Sequence, residues 1–241
     1  MLPAKANIIA QLQRDILPLQ GFKQTSEKMI IGLGAIEQAF PNNSFPIGAV
    51  HEFICPDTEA VSAAGGFIAS ILSKLMRNDS ASIWISSSQN IFVPALPSFG
   101  INPDKIIFID LKNQKEILWA MEEALKCEGL AAVIGEIPEL SFTFSRRLQL
   151  AVEQSRSTGF IIRNNPRKLE TTACIARWKV SSLPSESYND MPGVGFPRWN
   201  VELLKVRNGK PGTWQIEYAG GNFRYLNSIV PLQYELERKT G

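Results

Sequence analysis

Apolar and polar positions follow a regular order along the chain from residue 48 onward. Short apolar runs such as "AVHEFI" and "LAAVIGEI" predict strands, and intervening segments such as "QKEILWAMEEALKC" carry apolar residues at helical spacing. A run as continuously apolar as "LAAVIGEI" is typical of a parallel sheet covered on both faces. Strands that alternate with helices of this length predict an α/β fold with a doubly wound, mainly parallel sheet and helices on both faces.

Two flanking regions depart from this order. Residues 8–19 carry apolar side chains at helical spacing, which predicts a short N-terminal helix. After about residue 170 the strand-like runs follow one another without helices, and "NGKPG" at 208–212 marks a turn between antiparallel strands. We expect three sections: an N-terminal helical segment and connector at 1–47, an α/β core at 48–170, and a terminal β section packed on the core at 171–241.

The loop after the first predicted strand has the position of a phosphate-binding loop. Such a loop needs the pattern G-x-x-x-x-G-K-[ST], in which glycine backbones and the lysine hold the phosphates. Here Cys55 and Ala60 replace the two glycines, Val61 replaces the lysine, and Ser62 keeps its type. The degenerate loop comprises Cys55, Pro56, Asp57, Ala60, Val61 and Ser62. The sequence therefore predicts the outline of a nucleotide site without its chemistry.

We predict structural roles for the acidic residues and glycines around this loop. Asp57 and Glu59 stand where a helix begins, so their carboxylates complement the helix dipole and would repel a triphosphate. Gly65 and Gly66 come too late to form the loop, and we expect them to let the helix approach the sheet closely.

Composition narrows the classes of function only moderately. The 241 residues are 44% hydrophobic and 20% charged, with a net charge of +2, which is too small to indicate a dedicated nucleic-acid binder. One histidine and three widely spaced cysteines favour a reduced, cytoplasmic protein without disulfides or a zinc site. We find no run of apolar residues that would cross a membrane and no signal peptide, and we expect no membrane association.

Several longer blocks of the sequence resemble those of a known protein family. In order along the chain come "PIGAVHEF", a loop, a small-residue helix and "IWIS", and this order resembles that of the RecA-like ATPase core. The chain also contains three unusual blocks, "LWAMEEALKC", "SRRLQLAVE" and "PRWNVELLKVRNGKPG". Over roughly residues 30–220 it resembles the ImuA family, bacterial DNA-damage-inducible proteins related to RecA and to the cell-division inhibitor SulA.

This resemblance implies a function and a set of partners. ImuA-like proteins act in SOS-induced, error-prone translesion DNA synthesis, with an ImuB-like Y-family protein, a DnaE-type polymerase and RecA as partners. The resemblance therefore implies a non-catalytic RecA-like adaptor that has no cofactor and works in the cytoplasm.

Functional positions of RecA-like enzymes are altered here. The acidic residue expected after the second strand falls at Ser87 or Ser88, and the polar sensor after the fifth strand is approximated by Arg163 and Asn164. Glu136 keeps a carboxylate near the Walker B position and is a weak candidate for a metal ligand. No residue is predicted to be catalytic.

Two other functions remain open from the sequence. Glu136 supports a divergent ATPase or DNA-binding recombinase paralogue that borrows a cation, such as Lys74 or Arg77, from elsewhere. The kinship with SulA supports a division inhibitor that binds the tubulin-like FtsZ, although the extended terminal strands suit ImuA better.

Basic and aromatic residues supply candidate contacts to nucleic acid or to a partner. The candidates are Arg146, Arg147, Arg163, Arg167, Lys168, Trp119 and Trp199, to which Trp178 adds another aromatic face. The alternative is a solvated basic surface with the tryptophans in the core, and for Trp119 the default expectation is burial.

Overall fold

The computed structural model describes residues 31–76, 80–87, 91–186 and 195–226. Three α-helices lie in these ranges: α1 (Thr58–Leu75), α2 (Gln114–Lys126) and α3 (Phe142–Ser155). Each begins after a side chain that accepts a backbone N–H, namely Asp57, Asn113 and Ser141, as N-cap residues do. The predicted helix at 8–19 lies outside the described residues.

Nine strands form one sheet. They are β1 (Val50–Cys55), β2 (Ser82–Ser86), β3 (Ile106–Asp110), β4 (Ala132–Glu136), β5 (Thr158–Asn164), β6 (Ala176–Leu183), β7 (Arg198–Val206), β8 (Gly212–Ala219) and β9 (Asn222–Tyr225). Their order across the sheet is β3-β2-β4-β5-β1-β6-β7-β8-β9. The pairs from β3 to β6 are parallel and those from β6 to β9 are antiparallel, which confirms the predicted fold class.

Helices cover the two faces of the sheet differently. Successive strand residues point to opposite faces. Phe53 of β1 meets Phe67 of α1 on one face, with ring centroids 6.3 Å apart. Val50 of the same strand belongs to a buried cluster with residues of α2 and α3 on the other face. We call these the α1 face and the α2/α3 face.

The terminal strands extend the same sheet because β6 pairs in parallel with β1. The predicted turn at 208–212 joins β7 to β8, and Asn208 adopts a left-handed backbone with φ of 56°. A Cβ on Gly209 would clash with the Ala39 carbonyl oxygen, so the turn packs against the connector before β1. The section boundaries expected at residues 47 and 170 stay predictions.

Candidate functional site

The degenerate loop is a tight turn closed by its own carboxylate. β1 ends at Cys55 and α1 begins at Thr58, so only Pro56 and Asp57 lie between strand and helix. Asp57 Oδ1 accepts a hydrogen bond from the Ala60 backbone N–H at 2.8 Å. This confirms the predicted cap and places a negative charge where a phosphate would meet the helix N-terminus.

Side chains of the loop pack in the core or bond within the helix. Ala60 and Val61 are buried, with 6% and 4% exposure, whereas Ser62 is exposed and bonds the Thr58 carbonyl oxygen within the helix at 3.1 Å. Burial and, to a smaller extent, the charges of Glu136 and Asp57 together raise the pKa of the Cys55 thiol to about 12. Cys55 is therefore a neutral thiol at physiological pH and a poor nucleophile.

A cavity of about 310 Å³ lies beside this turn on the α1 face. We call it the aromatic pocket. Small residues of α1 form one wall, the 3₁₀ segment Val93–Phe99 forms another, and Glu136 contributes the last residue of β4. The aromatic rings that line it belong to Trp84, Phe92, Phe99 and Trp199. The pocket thus lies at the carboxyl end of β4, where doubly wound sheets bind their ligands.

Glycine on α1 makes this pocket possible. A Cβ on Gly66 would lie 3.1 Å from Trp199 Cζ2, tighter than ordinary contact, and a Cβ on Gly65 would lie 3.9 Å from Trp84. Gly66 therefore permits the close approach of helix and sheet predicted from the sequence. Trp199 stacks on Phe99 with ring centroids 6.5 Å apart.

Glu136 is buried, with 5% exposure, and its Oε1 accepts the indole N–H of Trp84 at 2.8 Å. Among the described residues, His, Cys, Asp and Glu side chains form no group of three that could hold a metal ion. Metal binding at Glu136 therefore has no support from neighbouring ligands in that part of the chain.

The cation suggested for a divergent ATPase does not reach the turn. Lys74 lies near the end of α1, about 20 Å along the helix axis from Val61 at 1.5 Å per residue. Its Nζ donates to the Gly221 carbonyl oxygen at 2.7 Å. The suggestion of Lys74 is therefore wrong, and Arg77 and Ser88 lie outside the described residues.

Arg163 is fully buried, which corrects its nomination as a contact for nucleic acid or a partner. Its Nη1 donates to Glu52 Oε1 at 2.8 Å, and its Nη2 donates to Glu139 Oε2 at 3.1 Å. Glu52 Oε2 also accepts from Thr172 Oγ1 and Arg177 Nε, each at 2.8 Å. We call these five residues (Glu52, Glu139, Arg163, Thr172 and Arg177) the charge cluster.

The charge cluster holds the loop after β5. Arg163 Nη2 donates to the Lys168 carbonyl oxygen at 2.8 Å, and the Arg167 backbone N–H donates to Glu139 Oε1 at 2.8 Å. The side chains of Arg167 and Lys168 are exposed. Their role as contacts to nucleic acid stays a prediction.

The remaining candidates divide by exposure. Arg146 and Arg147 are exposed on α3, and Arg147 pairs with Glu122 at 2.6 Å and lies 5.2 Å from the Phe144 ring centre. Trp119 is 65% exposed, so its expected burial is wrong. Trp199 is 4% exposed, so it offers no stacking face to nucleic acid at the surface, and Trp178 is also in the core.

Sequence reasoning missed Glu52 and His51, which are buried in β1. His51 Nε2 donates to the Pro46 carbonyl oxygen at 2.7 Å, and its Nδ1 accepts from Trp178 Nε1 at 3.3 Å. Burial lowers the pKa of His51 to about 4, so the ring is neutral. Two polar residues inside the apolar run "AVHEFI" were the signal that could have found them.

Comparisons with known proteins agree with the sequence blocks. "Protein ImuA" of Caulobacter vibrioides strain NA1000 / CB15N is 29% identical over 227 residues, covering 87% of this chain and 93% of the relative. "Cell division inhibitor SulA" of Yersinia pestis strain Pestoides F is 26% identical, covering 56% of this chain and 79% of the relative. SulA of Photorhabdus laumondii is 29% identical but covers 44% of this chain and 60% of the relative.

Comparison with solved structures bears on the fold alone. The crystal structure of the RadB recombinase matches with a TM-score of 0.56 at 12% identity, covering 83% of this chain and all of that one. This likeness confirms the RecA-like fold. No protein-family model matches the chain. No helix in the described part of the chain has the length and apolarity of a membrane span.

Proposed function

We propose that this chain, whose curated relatives support its assignment to the ImuA family, is a non-catalytic adaptor in SOS-induced, error-prone translesion DNA synthesis. It would link an ImuB-like Y-family protein and a DnaE-type polymerase to RecA or to damaged DNA in the cytoplasm. The observation that carries this proposal is the two-residue turn between β1 and α1, capped by Asp57.

Physical chemistry supports the absence of nucleotide turnover. A phosphate loop works by pointing several backbone N–H groups and a lysine at the phosphates. Here Val61 has no charge to offer, and the Asp57 carboxylate already occupies the Ala60 N–H. Removing one preorganised donor costs an enzyme about 100- to 1000-fold in rate, and this turn lacks the lysine and both glycines.

Titration of the purified chain with ATP and magnesium tests the loss of nucleotide chemistry. We expect no heat of binding at concentrations that detect a millimolar dissociation constant. Robust ATP turnover that Glu136→Gln abolishes would establish the divergent ATPase instead.

Capture experiments test the adaptor role separately. The tagged chain should retain an ImuB-like protein and RecA when both are folded, and it should retain them without nucleotide. Failure to retain either one would end the adaptor proposal even if ATP does not bind.

A division inhibitor is the second candidate, favoured by the SulA matches over about half of this chain. Co-sedimentation with FtsZ decides between the two: the adaptor leaves FtsZ polymers unchanged, and a SulA-like inhibitor reduces them.

Direct contact with DNA remains a proposal for the exposed Arg146, Arg167 and Lys168. If they touch phosphates, Arg167→Glu with Lys168→Glu should weaken DNA retention, and that retention should fall steeply with salt. Unchanged retention by the double variant would remove DNA from the proposed partners.

A further inference from the structure

The strand β3 forms one edge of the sheet and carries apolar side chains that solvent reaches. Within the described part of the chain, β2 flanks β3 on one side and the order of strands ends there. Ile107 is 53% exposed and Phe108 is 39% exposed, although both lie inside the strand. We propose that this edge is a two-fold interface, at which β3 pairs antiparallel with β3 of a second copy of this chain. The proposal is independent of the adaptor function.

Backbone groups of β3 point to the outer side, where no described strand lies. The Leu111 backbone N–H donates to the Ser86 carbonyl oxygen of β2 at 2.9 Å. Alternate residues of a strand direct their backbone groups to the same side, so Ile109 also bonds to β2, and Phe108 and Asp110 direct their N–H groups outward. Edge strands usually carry lysine, proline or a bulge that discourages pairing, whereas four of the five residues of β3 are apolar.

The exposed side chains of β3 select for a strand over a helix. Successive strand residues point to opposite faces of a sheet. Phe108 pairs in register with Trp84, which lines the aromatic pocket, so Phe108 lies on the α1 face and Ile107 on the α2/α3 face. A helix laid on either face would cover one of these two side chains. A strand added in the plane of the sheet covers both, because its own side chains alternate in the same way.

Charges near the two ends of β3 select for a second copy in one register. A two-fold axis that makes two strands antiparallel keeps each face of the sheet on its own side, so the axis must pass beside a residue. With the axis at Phe108, this residue exchanges both backbone hydrogen bonds with its own copy, and Ile107 lies opposite Ile109. The same register brings the exposed Asp104 of each copy to the exposed Lys112 of the other.

Neighbouring registers lack this complementarity. An axis at Ile107 would place Asp104 opposite Asp110, and an axis at Ile109 would place Phe108 opposite Asp110. Parallel pairing about a two-fold axis would put every charge at the level of its own copy. Like charges directly opposite one another destabilise a pair of strands.

Apolar surface continues beyond the strand on the α1 face. Ile91 and Val93 line a cavity of about 190 Å³ together with Phe108. Phe92, between them in sequence, is 71% exposed. Exposed apolar surface of this extent marks protein contacts, so the interface is larger than the strand itself.

Sedimentation equilibrium of the full chain tests the interface. We expect a monomer–dimer equilibrium between about 1 and 100 µM, since one pair of short strands gives a small interface. Ile107→Lys puts a cation opposite Ile109 of the second copy and should weaken association by about tenfold or more. Leu150→Lys makes the same change at a side chain that is 55% exposed on α3, and it should leave the dissociation constant unchanged.

Exchange of charges tests the register and keeps the proposal falsifiable if Ile107→Lys does not fold. Asp104→Lys or Lys112→Asp alone creates two repulsive pairs in the dimer and should weaken it by about fivefold. The variant with both changes restores opposite charges at both places. Its dissociation constant should lie within about twofold of that of the parent protein.

Four results would overturn the proposal. A chain that stays monomeric at about 100 µM would leave this edge to a strand of another protein. A dimer that survives Ile107→Lys, or that Leu150→Lys weakens equally, would place the interface elsewhere. A double charge variant that stays as weak as the single ones would exclude the register. None of these results depends on capture of the ImuB-like protein or RecA, so failure of the adaptor function is a separate outcome.

Discussion

The aromatic pocket and the charge cluster lie on opposite faces of the same sheet and use ionisable groups in opposite ways. On the α2/α3 face, Glu52 is fully buried and bonded to two arginines and a threonine. On the α1 face, Glu136 has the Trp84 indole and an aromatic cavity beside it. On the α2/α3 face the buried acid is bonded to arginines that also hold the loops, and on the α1 face the buried acid lies in the wall of a cavity.

This difference indicates where each face can act. A buried carboxylate that is fully bonded to arginines has little capacity left for a ligand, so the charge cluster is structural. The aromatic pocket on the α1 face leaves room for a ligand, since its wall is formed by rings and by small residues of α1. Four experiments can break or sharpen this contrast, and they are ordered by their expected effect on the free energy of unfolding.

Removing the central acid of the charge cluster should cost the most. Glu52→Ala leaves the guanidinium of Arg163 buried without its shortest-range acid, and breaking such a pair costs about 3–5 kcal/mol. Urea denaturation at pH 7 measures the loss. The matched control is Glu202→Ala, which breaks a half-buried, solvent-accessible pair with Lys179 (3.3 Å) and should cost about 1 kcal/mol or less. Similar losses in both variants would show that the charge cluster is not structural.

Acid should destabilise the α1 face through His51. Burial lowers its pKa from 6.5 to about 4, so the unfolded chain takes up a proton before the folded one does. The contribution of the neutral His51 ring to the free energy of unfolding is therefore retained above pH 6.5. The free energy of unfolding falls by about 3 kcal/mol as the pH drops from 6.5 to 4.

Urea midpoints at pH 7, 6, 5 and 4 measure this loss. Carboxylates also titrate in the lower part of that range, so the comparison is with His51→Gln, which should have the flatter profile. Parallel profiles for the two proteins would mean that burial does not exclude the proton from this ring.

Removing the cap beside the aromatic pocket should cost less. Asp57→Ala loses the bond to the Ala60 N–H and should destabilise the chain by about 1 kcal/mol. Asp57→Asn keeps a capping oxygen, so its melting temperature should stay near that of the parent protein. A loss in Asp57→Asn equal to that in Asp57→Ala would show that the charge, and not the cap, is what matters.

Changing the exposed indole on α2 should cost least. Trp119 is 65% exposed, so Trp119→Ser should alter stability by no more than about 0.5 kcal/mol. Capture of the ImuB-like protein by this variant then reports on the surface alone. Undiminished capture would remove Trp119 from the candidate partner contacts.

The sequence predicts the framework well because strand and helix periodicity is a local property. α2 (Gln114–Lys126) lies within the predicted helix "QKEILWAMEEALKC", and β4 (Ala132–Glu136) lies within the predicted strand "LAAVIGEI". The lost phosphate loop is equally local, since it follows from residue types at fixed spacing. These features need no knowledge of what lies across the sheet.

Burial of ionisable and aromatic side chains could not be predicted because it depends on distant partners. From the sequence Arg163 is a candidate surface cation. In the structure it is buried, because Glu52, 111 residues earlier in the chain, lies beside it. Trp119 has an apolar side chain on an amphipathic helix, yet it lies outside the buried stripe of Leu118 and Met121. The aromatic pocket is assembled from five strands and two helical segments, so no single stretch of sequence contains it.

The central place of β1 also fixes the order in which the chain can fold during synthesis. Its neighbours β5 and β6 are made roughly 100 residues after it, and the arginines that neutralise Glu52 come 111 and 125 residues later. A nascent chain that ends before residue 163 carries an acid without its arginines in the central strand, and the backbone N–H and C=O groups of that strand lack their partners in β5 and β6. Contacts this distant in sequence slow folding, so β1 cannot complete its pairing until β5 and β6 have both emerged from the ribosome.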